Sequence, residues 1–230
     1  MSFGKNLQFL RRMRDQMTQE ELAEKLEVSR QTISKWELDQ GYPEMKKALE
    51  ICQLFSCSLD QLIREDLNVD DQAYSSVWTQ WIKPFYYLPY TVVSAEPEDD
   101  AKNHVSIWAK TLGISNPDII GWDFPVPSQQ LVNACHMHGY TAALRLSKPE
   151  TAGEMASQVK RQEGQTYIAI TIREPFQDPF RLIPNAYQLL LRYSETNKLN
   201  MPKGKDTVSC FEKEYRKENT EYMDVYLAVE

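Results

Sequence analysis

A run of polar side chains between residues 29 and 35 could read the edges of DNA bases. Arg30 could form two parallel hydrogen bonds with guanine, and Gln31 could form a similar pair with adenine. Thr32 could contact a thymine methyl group or a phosphate. Apolar Ile33 and Trp36 share the other face at helical spacing, so the polar side chains point outward. The candidate DNA-contacting residues of this segment are Ser29, Arg30, Gln31, Thr32, Ser34 and Lys35.

Two short helices joined by a sharp turn would position these side chains. The first begins at Thr18, which has capping-box spacing with Glu21. The second begins at Ser29, a favoured N-cap residue, and its first turn would enter the major groove. Glu27 in the turn is expected to adopt positive φ, at a cost of ~1 kcal/mol. The pattern predicts a helix-turn-helix, and the alternative is a helical bundle that makes only protein contacts.

Residues 3–65 resemble the Xre-type family of phage-repressor-like DNA-binding domains. The resemblance implies an all-α five-helix bundle, with helices at about 3–14, 18–26, 29–38, 44–55 and 58–65. It gives Gln19 a phosphate-contacting and helix-supporting role, pairs Arg11 with Glu37, and makes Arg30, Gln31 and Ser34 the base-reading positions. Two departures are Glu27, where the family has Gly or Asn, and a loop at 14–17 that is about one residue longer.

The charge of the N-terminal segment is unusual for a DNA-binding domain. Residues 1–66 contain ten Lys or Arg and twelve Asp or Glu, within a chain of net charge −7. One such domain should bind DNA weakly, because affinity for the duplex depends largely on phosphate neutralisation. We therefore expect a homodimer on a two-fold double-stranded operator.

The four cysteines have no paired spacing for zinc, and free thiols in a cytoplasmic protein are expected. Residues 3–9 are interrupted by polar side chains and do not form a signal peptide. No apolar run approaches the ~20 residues of a membrane span, so no membrane partner is expected. Cys135-His136-Met137-His138 could place two histidines on one strand face, but a metal would need a third ligand. We expect no metal and no cofactor.

The chain is expected to contain two domains, at 1–66 and 85–230, joined by a linker at 67–84. Acidic Asp70-Asp71 suggests a hinge. The apolar residues Val77, Trp78, Trp81 and Ile82 predict a short linker helix, whose tryptophans should pack on the second domain or on a partner chain.

The second half alternates between short strands and helices. Strands are predicted at 86–96, 119–124, 131–146, 167–172, 208–215 and 222–229, with an edge strand at 154–159 and helices at 101–112 and 179–193. The order strand–helix–strand–strand occurs twice, near 86–146 and 167–229. This order predicts an α+β domain with an antiparallel sheet, helices on one face and the other face free to bind.

Residues 86–229 resemble the GyrI-like effector-binding family. The resemblance rests on 159–172 (VKRQEGQTYIAITI), on a following helix with Tyr187, and on the strands 210–215 and 224–229. One residue is inserted before Tyr215, and the closing strand lacks the usual Pro. The resemblance implies a cleft between the two halves, with aromatic walls and an acidic residue that meets cationic or amphipathic ligands.

Glu212 matches the acidic residue of that family. On a strand, Val208, Cys210 and Glu212 would share one weakly polar face, where a carboxylate needs a partner. A ligand cation is one possible partner, a protein Lys or Arg is another, and water is a third. The expected effector site comprises Glu212, Trp108, Trp122, Tyr187 and Tyr226, although Trp108 also fits a core position.

Three functions are compatible with these patterns. The first is a regulator that binds an operator through its helix-turn-helix and senses a small, hydrophobic or cationic effector. The second is a DNA-binding protein whose second domain only dimerises or binds a protein. The third is a small-molecule hydrolase fused to a DNA-binding domain; this is disfavoured, because Glu212 and Glu214 have no evident His or Ser partner.

Overall fold

The computed structural model describes residues 2–14, 16–65, 67, 73–125, 128–202 and 207–230. The chain forms two compact units, one of residues 1–78 and 170–200 and one of residues 79–169 and 201–230. The predicted domain limits remain a prediction. The predicted hinge at Asp70-Asp71, Asp15 of the predicted longer loop, and 203–206 of the second unit lie outside the described residues.

The first unit contains the predicted five-helix bundle. Its helices are α1 (Phe3–Met13), α2 (Gln19–Lys25), α3 (Arg30–Glu37), α4 (Met45–Phe55) and α5 (Leu59–Ile63). Apolar side chains from all five helices enclose one core, in which Leu7, Leu22, Ile33, Ile51 and Leu62 are fully buried. The unit also contains the long helix α8 (Pro179–Thr196).

The helix starts follow from side-chain capping. The Thr18 hydroxyl accepts the Glu21 amide N–H while the Glu21 carboxylate accepts the Thr18 N–H, which completes the predicted capping box. The Ser29 hydroxyl accepts the Thr32 N–H at 3.1 Å, so α3 begins where the sequence predicts. Glu27 has φ of 53°, which confirms the expected left-handed turn between α2 and α3.

The second unit is built on an antiparallel sheet. Its strands are β1 (Trp78–Ile82), β2 (Phe85–Ser94), β3 (Ile119–Phe124), β4 (His138–Leu146), β5 (Lys160–Gln162), β6 (Gln165–Arg173), β7 (Cys210–Lys217) and β8 (Thr220–Val229). They lie side by side in the order β1-β6-β8-β7-β3-β4-β2-β5, and the last residues of β6 continue into the first unit. Two further helices are α6 (Pro97–Thr111) and α7 (Gln129–Cys135). The duplicated strand–helix–strand–strand order, as β2-α6-β3-β4 and β6-α8-β7-β8, confirms the predicted α+β class.

Helix α6 covers one face of the sheet. Its buried residues Ala101 and Val105 pack in one cluster with Tyr140, Ala142 and Leu144 of β4. These three alternate along β4, so the residues between them belong to the opposite face. The side of the sheet that carries α6 is hereafter the helix face, and the other side is the open face.

Several predicted elements differ in type. The predicted linker helix is wrong: Trp78–Ile82 is the strand β1, as suits a segment rich in aromatic and β-branched residues, and Trp81 is 61% exposed. Residues 131–146 are not continuous strand, because α7 occupies their start and His136 follows it with φ of 52°. The predicted edge strand at 154–159 is mostly a 3-10 helix (Pro149–Gln158), with β5 just beyond it.

None of the helices in the described part of the chain combines the length and apolar character that crossing a bilayer requires.

Candidate functional site

The polar side chains of α3 face solvent. Arg30, Gln31 and Lys35 are exposed, while Thr32 and Ser34 are half-buried. All five are on one helix of eight residues whose other face is held in the core by Ile33 (0% exposed) and Trp36 (7% exposed). The guanidinium and amide groups proposed to meet bases are therefore available to a partner.

A buried polar cluster fixes the orientation of α3. The Arg11 guanidinium donates to both carboxylate oxygens of Glu37, from Nε at 2.6 Å and from Nη2 at 3.0 Å. Its Nη1 also donates to the Met17 carbonyl at 2.6 Å. Gln19 Nε2 donates to Glu37 Oε2 at 2.9 Å. Because Glu37 ends α3 and Gln19 begins α2, the cluster locks the two helices together.

The Arg11–Glu37 pair that the family resemblance implies is thus present. Gln19 supports the recognition helix α3 through its hydrogen bond to Glu37. The structure brings the start of α2 and the exposed face of α3 onto one domain. Contact of Gln19, Ser29, Arg30, Gln31, Thr32, Ser34 and Lys35 with DNA remains a prediction.

Glu212 is buried on β7, with 7% of its surface exposed. Its Oε2 accepts a hydrogen bond from the Tyr140 hydroxyl at 3.2 Å. Burial, and then the negative charges of Glu212, Glu98 and Glu214, raise the pKa of Tyr140 well above its usual value, so this phenol stays protonated. Tyr140 therefore acts as a neutral donor to Glu212.

A cavity of about 430 Å³ in the second unit is lined by Glu212. Lys102 of α6 lies in its wall and forms ion pairs with Glu98 and Glu214. Burial alone would lower the pKa of Lys102, but Glu214 and Glu98 outweigh it and hold that pKa above its usual value. Lys213, the other basic side chain in the lining, pairs with Asp118 at 2.7 Å. Both ammonium groups in the cavity wall, Lys102 and Lys213, thus form ion pairs with carboxylates.

The sheet register places the predicted effector residues on two faces. Gly121 lies opposite both Ala142 and Glu212, and directly paired residues share a face, so Glu212 belongs to the helix face. Trp122 pairs with Thr141 and belongs to the open face. Tyr226 pairs with Phe211, next to Glu212, and is also on the open face. The expectation that Glu212, Trp122 and Tyr226 line one cleft is not met, because strand alternation separates them.

The remaining two predicted residues lie elsewhere. Trp108 is half-buried on α6, where its ring makes edge contacts with His104 at 4.7 Å and Tyr90 at 5.6 Å between centroids. This position matches the core alternative for Trp108. Tyr187 is half-buried on α8, in the first unit. The predicted strand face of Val208, Cys210 and Glu212 does not extend to Val208, because β7 begins at Cys210.

Three residues near Glu212 were not predicted from the sequence as part of the site: Tyr140, Gly121 and Lys102. A Cβ on Gly121 would lie 2.2 Å from the Tyr140 hydroxyl oxygen, so only glycine leaves room for the phenol beside Glu212. Gly121 could have indicated this packing, because a glycine inside a strand often marks a place where another group approaches the backbone closely.

The histidines at 136 and 138 do not share a strand face, because His136 follows α7 in a left-handed conformation and only His138 is in β4. Among the described residues, no three His, Cys, Asp or Glu side chains form a group that could hold a metal.

Comparison with known proteins supports the N-terminal assignment. Residues 10–62 match the family model for a helix-turn-helix. A stretch of 63 residues is 48% identical to the HTH-type transcriptional activator BcrR of Enterococcus faecalis. That stretch is 27% of this chain and 30% of the relative, so the chain spans less than a third of the length of BcrR.

Solved structures are similar over longer stretches but at low scores. The EcmrR-DNA complex in EcmrR-RPo covers 93% of this chain and 85% of its own, with 12% identity and a TM-score of 0.45. A hydrolase from Listeria innocua covers 67% of this chain and 91% of its own, with 15% identity and a TM-score of 0.41. Values this low support no statement about a shared ligand or reaction.

The family match covers residues 10–62, which lie within the five-helix bundle that contains the Arg11–Glu37 pair and the exposed polar face of α3. The first domain of this chain is a helix-turn-helix, the kind of domain that transcriptional regulators use to bind DNA, and it is followed by an α+β domain with a duplicated strand–helix–strand–strand order.

Proposed function

We propose that this chain is a sequence-specific transcriptional regulator whose helix α3 enters the major groove of a double-stranded operator. The observation that carries the proposal is the exposure of Arg30 and Gln31 on a helix anchored by the buried Arg11–Glu37 pair. Such an anchor keeps the base-reading groups in one orientation, so that little ordering is needed when DNA binds. Binding to chromosomal DNA would place the protein in the cytoplasm.

Fluorescence anisotropy with a labelled fragment from upstream of its own gene tests this proposal. Arg30→Ala should weaken specific binding by about 1–3 kcal/mol, because a bidentate contact with a base is lost. Arg216→Ala, an exposed residue of β7, removes the same charge far along the chain and should leave specificity unchanged. Equal losses in both variants would contradict base reading by α3.

We also propose that two copies bind together. Residues 1–66 contain more acidic than basic residues, so one domain gains little from the phosphate backbone. Sedimentation of the full chain with a duplex of one and of two half-sites should show a 2:1 complex only on the longer duplex. A saturated 1:1 complex on the two-site duplex would contradict a dimer.

The second unit is proposed to bind a small hydrophobic cation in the cavity beside Glu212. The carboxylate is buried, its Tyr140 donor is neutral, and the nearby Lys102 already has two carboxylate partners. The described lining of the cavity contains three carboxylates, Asp118, Glu212 and Glu214, and two ammonium groups, Lys102 and Lys213, so a desolvated cation would be attracted to it. The proposal is of binding without turnover.

Two probes of matched shape and opposite charge test the cation site. Tetraphenylphosphonium should bind the full chain and tetraphenylborate should bind more weakly, as measured by isothermal titration calorimetry. Glu212→Gln should lower phosphonium affinity by about tenfold, the equivalent of about 1.4 kcal/mol. An unchanged affinity in Glu212→Gln would place the ligand elsewhere, and a mass change in the recovered ligand would favour the hydrolase alternative.

Regulation requires that the cation bind the DNA-competent and DNA-incompetent arrangements with different affinity. Operator affinity should therefore change when phosphonium saturates the wild-type chain, and should not change in Glu212→Gln. A dimerisation-only second domain predicts no change in either protein.

A further inference from the structure

A second cavity lies within the first unit, against the first helix of the DNA-binding domain. It has a volume of about 390 Å³, within the range of small-ligand pockets. One wall is α1, and the others are residues 74–77, Ile170 of β6, and α8. The Glu212 cavity has none of these residues in its lining, so the two cavities are separate.

The floor of this cavity is apolar and firmly packed. Leu189 and Tyr193, one turn apart on α8, are buried, with 6% and 8% of their surface exposed. Phe9 and Met13, one turn apart on α1, are half-buried on the opposite wall. Such a lining favours an apolar ligand body over a hydrated ion.

The wall positions are fixed by hydrogen bonds at the end of α8. Arg14 Nη1 donates to the Thr196 carbonyl at 2.5 Å and to the Leu54 carbonyl at 2.6 Å. The Thr196 hydroxyl donates to the Phe55 carbonyl at 3.2 Å, and Asn197 Nδ2 donates to the Met13 carbonyl at 3.2 Å. These bonds tie α8 to the ends of α1 and α4, so the cavity is preformed.

The rim carries positive charge. Lys5 and Arg12, two turns apart on α1, are exposed at the cavity, and none of its lining side chains in the described ranges is acidic. Neither cation forms an ion pair with another described residue. Two such cations above an apolar floor are complementary to a ligand with an anionic head and an apolar tail.

We propose that this cavity, lined by Lys5, Arg12, Phe9, Met13, Leu189 and Tyr193, binds an amphipathic carboxylate with a short acyl chain. The carboxylate accepts hydrogen bonds from Arg12 and Lys5, and the chain lies along Met13 and Leu189. Because α1 belongs to the helix-turn-helix, this ligand braces the DNA-binding domain against α8. The site has the opposite charge preference to the proposed cation site and does not depend on it.

Calorimetry of the full chain with octanoate, octanol and octyltrimethylammonium tests the charge preference. Octanoate should bind with a dissociation constant below about 1 mM, and the other two should bind at least tenfold more weakly. Equal binding of octanol, or no heat from octanoate at the same protein concentration, would overturn the proposal.

Variants locate the site. Arg12→Gln should weaken octanoate binding about tenfold, and Lys5→Gln/Arg12→Gln should remove it, because both ligand contacts are charge-assisted. Both residues are exposed, so the variants should fold, which circular dichroism verifies. Arg64→Gln, on an exposed side chain outside the cavity, and Glu212→Gln should leave octanoate affinity within twofold. An unchanged affinity in Arg12→Gln, or a loss in Glu212→Gln, would overturn the assignment to this cavity.

Discussion

Two buried glutamates, one in each unit, show how differently a fold can use the same side chain. Glu37 is 6% exposed and Glu212 is 7% exposed. Glu37 accepts two hydrogen bonds from the Arg11 guanidinium and one from the Gln19 amide. Glu212 accepts a hydrogen bond from the neutral Tyr140 hydroxyl and borders a cavity. Equal burial therefore says little about the role of a carboxylate.

The hydrogen-bond donors described for the two carboxylates differ in charge. A guanidinium neutralises Glu37 within the domain, so this pair orients α3 and has little attraction left for a ligand. The Tyr140 phenol that donates to Glu212 is neutral, and Glu98 and Glu214 add to the negative field at this phenol. The first arrangement suits structural support, and the second suits recognition of a cation.

Substitution of Glu37 gives the largest expected effect. Glu37→Gln removes the negative partner and leaves the Arg11 guanidinium, whose side chain is 10% exposed, uncompensated. The free energy of unfolding of the full chain should fall by about 3–5 kcal/mol, as for other broken buried pairs. Urea unfolding followed by far-UV circular dichroism measures this loss.

Glu212→Gln is the matched comparison. Its amide oxygen can still accept the Tyr140 hydrogen bond, and loss of the charge relieves repulsion from nearby acids, so stability should change by less than about 1 kcal/mol. Similar losses for Glu37→Gln and Glu212→Gln would mean that Glu212 also has a structural role, and would remove the contrast between the units.

Two close-packed glycines give the next largest effect. A Cβ at Gly4 of α1 would lie 2.5 Å from the Trp36 carbonyl oxygen and 2.6 Å from that of Glu37. The helical backbone of α3 at these carbonyls cannot move aside easily, so Gly4→Ala should lower the free energy of unfolding by about 2–3 kcal/mol. Gly121→Ala meets the outer end of the Tyr140 side chain instead of backbone, so it should cost less, about 1 kcal/mol, while weakening phosphonium binding. A larger loss at Gly121 than at Gly4 would reverse this ordering.

The sequence predicted the first unit in more detail than the second because its signals are local. Thr18 and Glu21, or Ser29 and Thr32, are three residues apart, and each pair specifies one helix start without reference to the rest of the chain. Even the departure from the family at Glu27 was interpretable, since a left-handed turn residue is a local property.

In the second unit the order of elements was predictable, but the faces of the strands were not. Glu212 and Trp122 are ninety residues apart, and their faces depend on the β3–β7 register at Gly121. A shift of one residue in that register would exchange the faces. The short helix α7 and the strand β1 were missed because short apolar runs fit either type of element.

Helix capping offers a test of smaller effect. The Ser29 hydroxyl caps α3, whereas Ser128, at the equivalent position of α7, makes no side-chain capping bond. Ser29→Ala should therefore lower the free energy of unfolding by about 1 kcal/mol, and Ser128→Ala should leave it unchanged. Hydrogen exchange of the α3 amides should rise in the first variant only. Equal, sizeable losses would show that local capping is not what distinguishes the two units.

The smallest effect is expected at two left-handed turn residues. Glu27 has φ of 53° and His136 has φ of 52°, a backbone conformation that costs a non-glycine residue about 1 kcal/mol or more. Glycine removes this cost but increases the entropy of the unfolded chain, so each substitution to glycine should raise stability by only about 0.5 kcal/mol. Glu27→Gly should also leave operator affinity unchanged, because Arg11 and Gln19 hold α3 independently of the turn. If Glu27→Gly weakened DNA binding while His136→Gly did not, the turn itself would help to orient α3, and the Arg11–Glu37 cluster would not be its sole anchor.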